Sequence, residues 1–189
     1  MDSTLDNRRI VEGSIFLLAF AACVPAANFM IENVGTYCVP NGPCLIPVAP
    51  GLSAPSGVLM VGLALVLRDL VQRRLGLRWS LVAIAIGTAL SATFASPALV
   101  VASATAFLLS ELANTTVYTP LQKRGLVRAA LISSVVGLVI DSIVFLYLAF
   151  GSLDFLSGQV VGKAWMVLLA LPFIWWLRAR DLRLGLAPA

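Results

Sequence analysis

The feature that most constrains this chain is a series of long apolar runs that are continuous rather than alternating. Gly13 to Met30 holds no charged residue. About 20 such residues cross a bilayer as a helix. A transmembrane β-barrel would instead alternate apolar and polar residues along each strand. Composition agrees: 60% of residues are hydrophobic, 12% are charged, and mean hydropathy is +0.97. Soluble domains carry about 25% charged residues, and disordered chains combine low hydrophobicity with high net charge. Both classes are excluded.

Six spans are expected, at about 13–30, 53–71, 79–94, 97–118, 127–150 and 155–177. They use about 120 of the 189 residues, leaving only loops and ends. The expectation is therefore an all-α polytopic integral membrane protein, with 1–189 as a single transmembrane domain. Ile31 to Gly51 reads as a loop, because Pro40, Gly42, Pro43, Pro47 and Pro50 would interrupt a helix. Ala95-Ser96-Pro97 reads as the turn between spans three and four.

Charge supports this division. Arg8 and Arg9 precede span one, and Arg68, Arg73, Arg74 and Arg78 cluster between spans two and three. Lys123, Arg124 and Arg128 lie between spans four and five, and Arg178, Arg180 and Arg183 follow span six. Of thirteen basic residues, only Lys163 falls elsewhere. Merging spans three and four would destroy the pattern. The positive-inside rule puts both termini in the cytoplasm. Topology alone explains these arginines, so no nucleic-acid partner is expected. Arg68 and Asp69, near a span end, are expected to snorkel to the interface.

No histidine and no GxxxxGK[ST] phosphate loop occurs, so the chain alone cannot use ATP. No nucleophile–base pair or metal-ligand set is recognisable. The expectation is no enzyme, no cofactor and no metal. Cys23 reads as a packed core residue. Cys38 and Cys44, with five residues between them, form a disulfide if their loop faces an oxidising compartment, and not otherwise.

Three ionisable residues fall inside spans: Glu111, Asp141 and Lys163. Each costs about 2.5–3.5 kcal/mol at a helix centre on insertion scales, so they are expected to face one another or a wet cavity. Asp141 and Lys163 both fall in the outer half of the membrane. Glu111, Asn114, Thr115 and Tyr118 share one helical face, as do Ser134, Gly137 and Asp141, and Gln159 lies one turn before Lys163. Asn28 adds a polar group in span one. The candidate substrate-binding set is Asn28, Glu111, Asn114, Tyr118, Asp141, Gln159 and Lys163, around a cavity between spans one, four, five and six. A structural ion pair would also account for Asp141 and Lys163, and helix–helix hydrogen bonds for Glu111 and Asn114.

Carboxylate, amide and hydroxyl groups suit a planar heterocycle rich in N–H donors, such as a guanine-like ring. Tyr118, Phe107 or Trp165 could stack on it. The same groups could serve a cation or a proton relay.

The segments LRDLVQRRLG (Leu67 to Gly76), ASATAFLLSELANTTVYTPLQKR (Ala102 to Arg124) and ALISSVVGLVIDSIVFLYLAFG (Ala130 to Gly151) resemble the VUT, or vitamin uptake transporter, family, whose characterised members are bacterial queuosine-precursor transporters. AANF (Ala26 to Phe29) and Lys163 fit as well. The resemblance implies a six-helix inner-membrane importer of 7-deazaguanine bases such as 7-cyano-7-deazaguanine or its aminomethyl relative. It also implies Asn28, Asp69, Glu111, Asn114, Asp141 and Lys163 as the family's polar positions. Asn114 departs from the Asp common there, and the loop from Tyr37 to Pro50 is unlike the family. Expected partners are the purine-like substrate and the lipid bilayer, with a second copy or an external energising ATPase module as further candidates. Two other readings stay open: a substrate-binding subunit of an energy-coupling complex, and a scaffold or pore without a specific ligand.

Overall fold

The computed structural model describes residues 3–40, 42–94 and 100–186. Six α-helices carry the fold: α1 (Ser3–Asn33), α2 (Val58–Leu75), α3 (Leu77–Phe94), α4 (Val100–Leu121), α5 (Leu126–Phe150) and α6 (Leu156–Leu184). The turn expected at Ala95 to Pro97 lies outside the described residues. Four helices are long and apolar enough to cross a membrane by length and composition: α1, α4, α5 and α6. The α2 helix has 18 residues, roughly 27 Å at 1.5 Å per residue, and carries Arg68, Asp69, Arg73 and Arg74. The apolar stretch of α3 is shorter, Leu77–Thr93.

The interior and exterior are inverted relative to a water-soluble bundle. Leu18, Val101, Leu169, Trp175 and Trp176 are exposed, whereas Arg68, Asp69, Glu111, Asn114 and Lys163 are at most 1% exposed. Outward apolar side chains suit a hydrocarbon solvent, which offers polar groups no hydrogen bonds. Trp175 and Trp176 lie near the C-terminal end of α6, and Arg180 sits 5.0 Å over the Trp176 ring. Such aromatics are typical of the membrane–water boundary.

Ile31 to Gly51 is not simply a loop. The α1 helix continues through Asn33. A three-stranded antiparallel sheet then follows: β1 (Tyr37–Cys38), β2 (Cys44–Ala49) and β3 (Leu52–Pro55). Leu45 pairs with Pro55 and Pro47 with Ser53, with an irregularity between Pro47 and Ala49. Proline is tolerated here because a three-stranded sheet consists largely of edges, where a missing N–H costs little. Cys38 and Cys44 are disulfide-bonded across the β1–β2 turn. Ser53 to Pro55, expected at the start of span two, belong to β3.

The two ends of the bundle differ. At one, the sheet caps the helices: Ser56 Oγ donates to Met30 O at 2.6 Å, and Trp165 Nε1 donates to Val48 O at 2.9 Å. At the other, basic residues gather. Arg73 and Arg74 of α2 both bond Asp181 of α6, and Glu12 of α1 accepts from Arg74 at 2.8 Å and Arg180 at 2.5 Å. The five side chains tie three helices together at the basic end.

Close approach between helices depends on small residues. A Cβ on Gly62 of α2 would lie 2.8 Å from the backbone oxygen of Lys163 on α6. A Cβ on Gly137 of α5 would lie 3.2 Å from Asn114 Cβ on α4. These glycines bring the polar side chains of α4, α5 and α6 into one interior.

Candidate functional site

A cavity opens inside the bundle toward the sheet end. Its volume is about 80 Å³, on a measure where one water needs about 10–15 Å³. All six helices line it, rather than only the first, fourth, fifth and sixth. Its polar lining is Asn28, Ser91, Ser103, Asp141, Gln159 and Lys163, and Phe107 and Phe145 supply aromatic walls.

The ion pair sits at one wall. Lys163 Nζ donates to Asp141 Oδ2 at 2.5 Å, Gln159 Oε1 at 2.7 Å and Ser142 Oγ at 2.8 Å. An ammonium has three donors, so Lys163 is saturated by α5 and by its own helix. Its role is to hold Asp141 and Gln159 in place rather than to reach a ligand. Asp141 Oδ1 keeps accepting capacity, since its one neighbour, Ser110 Oγ, is 3.4 Å away. Gln159 uses its oxygen on Lys163, which leaves its amide N–H groups as donors. Asn28 donates to Val24 O at 3.0 Å within its own helix, which leaves its carbonyl oxygen as an acceptor.

The other candidates lie elsewhere. Glu111, Asn114 and Tyr118 do not line the cavity; they belong to a second, deeper cluster between α2, α4 and α5. Its centre is Arg68. The guanidinium places Nη2 2.6 Å from Asp69 Oδ1 and Nε 3.0 Å from Glu111 Oε2. Nη1 donates to Gln72 Oε1 at 3.0 Å. The Tyr118 ring lies 5.6 Å from the guanidinium carbon, so Tyr118 stacks on a cation and not on a cavity ligand. Trp165 is half-exposed and tied to Val48. Of the three aromatic candidates, only Phe107 reaches the cavity.

Arg68 and Asp69 correct the expectation of snorkelling: both are 0% exposed. The reason is pairing. Ser133 Oγ donates to Asp69 Oδ2 at 2.9 Å, and Arg68 hydrogen-bonds Glu111 and Gln72 while its Nη2 is in ion-pair contact with Asp69. The adjacent opposite charges in a helical run were the sequence signal for this cluster. Ser91, Ser103, Ser142 and Phe145 carried no comparable signal, because serine and phenylalanine are ordinary in membrane helices.

Among the described residues no cluster of three or more His, Cys, Asp or Glu could hold a metal ion.

The fold and cavity define an all-α membrane protein built around a polar interior. Residues 92–177 match the model of a family described as putative vitamin uptake transporter. The matched stretch runs from the end of α3 through most of α6 and holds Glu111, Asn114, Asp141, Gln159 and Lys163. No curated protein and no solved structure gives a significant match.

Proposed function

We propose that the chain imports a queuosine precursor, a 7-deazaguanine base such as 7-cyano-7-deazaguanine or its aminomethyl relative, across the bacterial inner membrane. All six helices span the membrane in this reading, with both termini cytoplasmic. The basic end then faces the cytoplasm, in line with the positive-inside rule. The disulfide-bonded sheet faces the oxidising side, where such bonds persist.

The observation that carries the proposal is the cavity wall made by Asp141, Gln159 and Lys163. A guanine-like ring presents a ring N–H beside an exocyclic amine, and a carboxylate oxygen accepts such donors. Gln159 provides an N–H for a ring carbonyl, and Asn28 an acceptor from the opposite helix. Phe107 and Phe145 offer faces for the flat ring. Lys163 orients Asp141 without being consumed by substrate. Transport would rock the helices around this site so that it opens to each side in turn.

Binding to the purified protein tests the reading. Calorimetry with 7-cyano-7-deazaguanine should give saturable heat, and Asp141→Asn should weaken binding about tenfold or more, the loss expected when about 1.4 kcal/mol of contact disappears. Adenine, whose edge presents a ring acceptor where guanine has a ring N–H, should not compete. Equal binding of adenine would refute the assignment of Asp141.

A further inference from the structure

The cavity reading leaves the deep cluster without a task, and that cluster is unbalanced in charge. Arg68 is one cation facing two carboxylates, Asp69 and Glu111, and all three side chains are at most 2% exposed. The neighbouring charges are committed elsewhere. Asp141 of α5 is matched by Lys163 of α6. Arg73 and Arg74, further along α2, hold Asp181 and Glu12. The α3 helix contributes only the neutral Ser80, 3.4 Å from Arg68 Nη1. An unmatched buried carboxylate is costly enough that such groups take up a proton instead.

The two carboxylates are not equivalent. Asp69 Oδ1 lies in ion-pair contact with Arg68 Nη2 at 2.6 Å without forming a hydrogen bond, and its Oδ2 accepts from Ser133. Glu111 receives Arg68 on Oε2 alone, and its Oε1 has no hydrogen-bond partner among the described residues. One turn on, along the same face of α4, Asn114 is 0% exposed with both amide atoms unpartnered. Tyr118 Oη and, on α5, Ser134 Oγ are also buried and unpartnered. Amides and hydroxyls both donate and accept. Each can therefore accept from a protonated carboxyl or donate to an ionised one. A metal cation fits less well, because a guanidinium already occupies the side shared by the two carboxylates.

We infer that Glu111 is the proton-binding group that couples uptake to a proton gradient. Asn114 serves it in both protonation states, and Arg68 with Asp69 fixes the charge count. The inference rests on the transport reading and adds its energy source. The proton binds Glu111 Oε1 when the interior is open to the outside and leaves to the cytoplasm, and no other bond is made or broken.

Infrared spectroscopy of the full chain in lipid, titrated with pH, tests it without any substrate. The wild type should show the carbonyl band of a buried protonated carboxyl, lost as pH rises. The band should shift with isotope-labelled glutamate and not with labelled aspartate. It should be absent from Glu111→Gln. It should also be absent from Asp69→Asn, where Arg68 and Glu111 balance one to one. Asp154→Asn, at an exposed turn, should keep it. No titrating band, or one that follows labelled aspartate, overturns the inference; the labelling arm decides even if a variant does not fold. In proteoliposomes, the wild type should concentrate labelled 7-cyano-7-deazaguanine under an inward proton gradient, and Glu111→Gln should only equilibrate it. Accumulation by Glu111→Gln overturns the coupling role. If the wild type does not move that base, the substrate reading fails while the infrared result still decides the proton site.

Discussion

Arg68 and Glu111 lie 43 positions apart in sequence and meet at 3.0 Å, both closed off from the surface. Their contact joins α2 to α4 and makes α2, which carries Arg68, Asp69, Arg73 and Arg74 in 18 residues, compatible with an apolar environment. Removing one partner of a buried pair costs about 3–5 kcal/mol, because the other charge is left without compensation. Arg68→Met should therefore lower the thermal unfolding midpoint in detergent well below that of a lipid-facing control such as Leu169→Ala. Arg68→Lys should recover only part of the loss, since an ammonium lacks the planar fork that reaches Asp69, Glu111 and Gln72 together.

Asp181 tests the basic end in the same way. It accepts from Arg73 at 2.8 and 2.9 Å and from Arg74 at 2.7 and 3.0 Å. Asp181→Ala strands Arg73 and leaves Arg74 with Glu12 alone, and should destabilise by about 3–5 kcal/mol. Glu12→Ala, on a more exposed carboxylate, should cost less. Denaturant or thermal unfolding of the two variants side by side measures the difference. Equal losses would show that burial does not set the strength of this cluster.

Packing at Gly62 makes a geometric prediction. The nearest atoms to an added Cβ there are backbone atoms of Lys163, which cannot swing aside as a side-chain tip would. Gly62→Ala should push α6 away from α2 and cost about 1–3 kcal/mol, the usual range for overpacking. Because Lys163 moves with it, substrate binding should fall further than Gly13→Ala, where the obstructing atoms are mainly the end of the Leu75 side chain.

The helices and the interior ion pair were legible in the sequence for a simple reason. A continuous apolar run needs no partner to be recognised, and an isolated charge inside one demands a partner at matching depth, as Asp141 and Lys163 show. The sheet was not legible. Its signals, Pro40, Gly42 and Pro43, say only that a helix stops, whereas the pairing of Leu45 with Pro55 depends on long-range register. Arg68 was misplaced because its position near a span end permits snorkelling, and only the arrival of Glu111 from α4 makes burial favourable. The division into an upper cavity and a deep cluster was hidden as well. Helical spacing puts Glu111, Asn114 and Tyr118 on one face but does not say which neighbour that face meets.

The disulfide gives a chemical test of sidedness. Cys38 and Cys44 are bonded and Cys23 is the free, buried thiol. Thiol labelling of membranes in denaturant should modify one cysteine per chain without reductant and three after reduction. Labelling of three without reductant would place the sheet on the reducing side and reverse the proposed topology.

Uptake tests the central claim most directly. In a bacterial strain lacking both precursor synthesis and its own transporter, the wild-type chain supplied with low 7-cyano-7-deazaguanine should restore queuosine in tRNA. Asp141→Asn at matched membrane abundance should fall about tenfold or more in initial uptake, as loss of a charged hydrogen-bond acceptor implies. Failure of the well-expressed wild type to restore queuosine, or full activity of Asp141→Asn, would contradict the account.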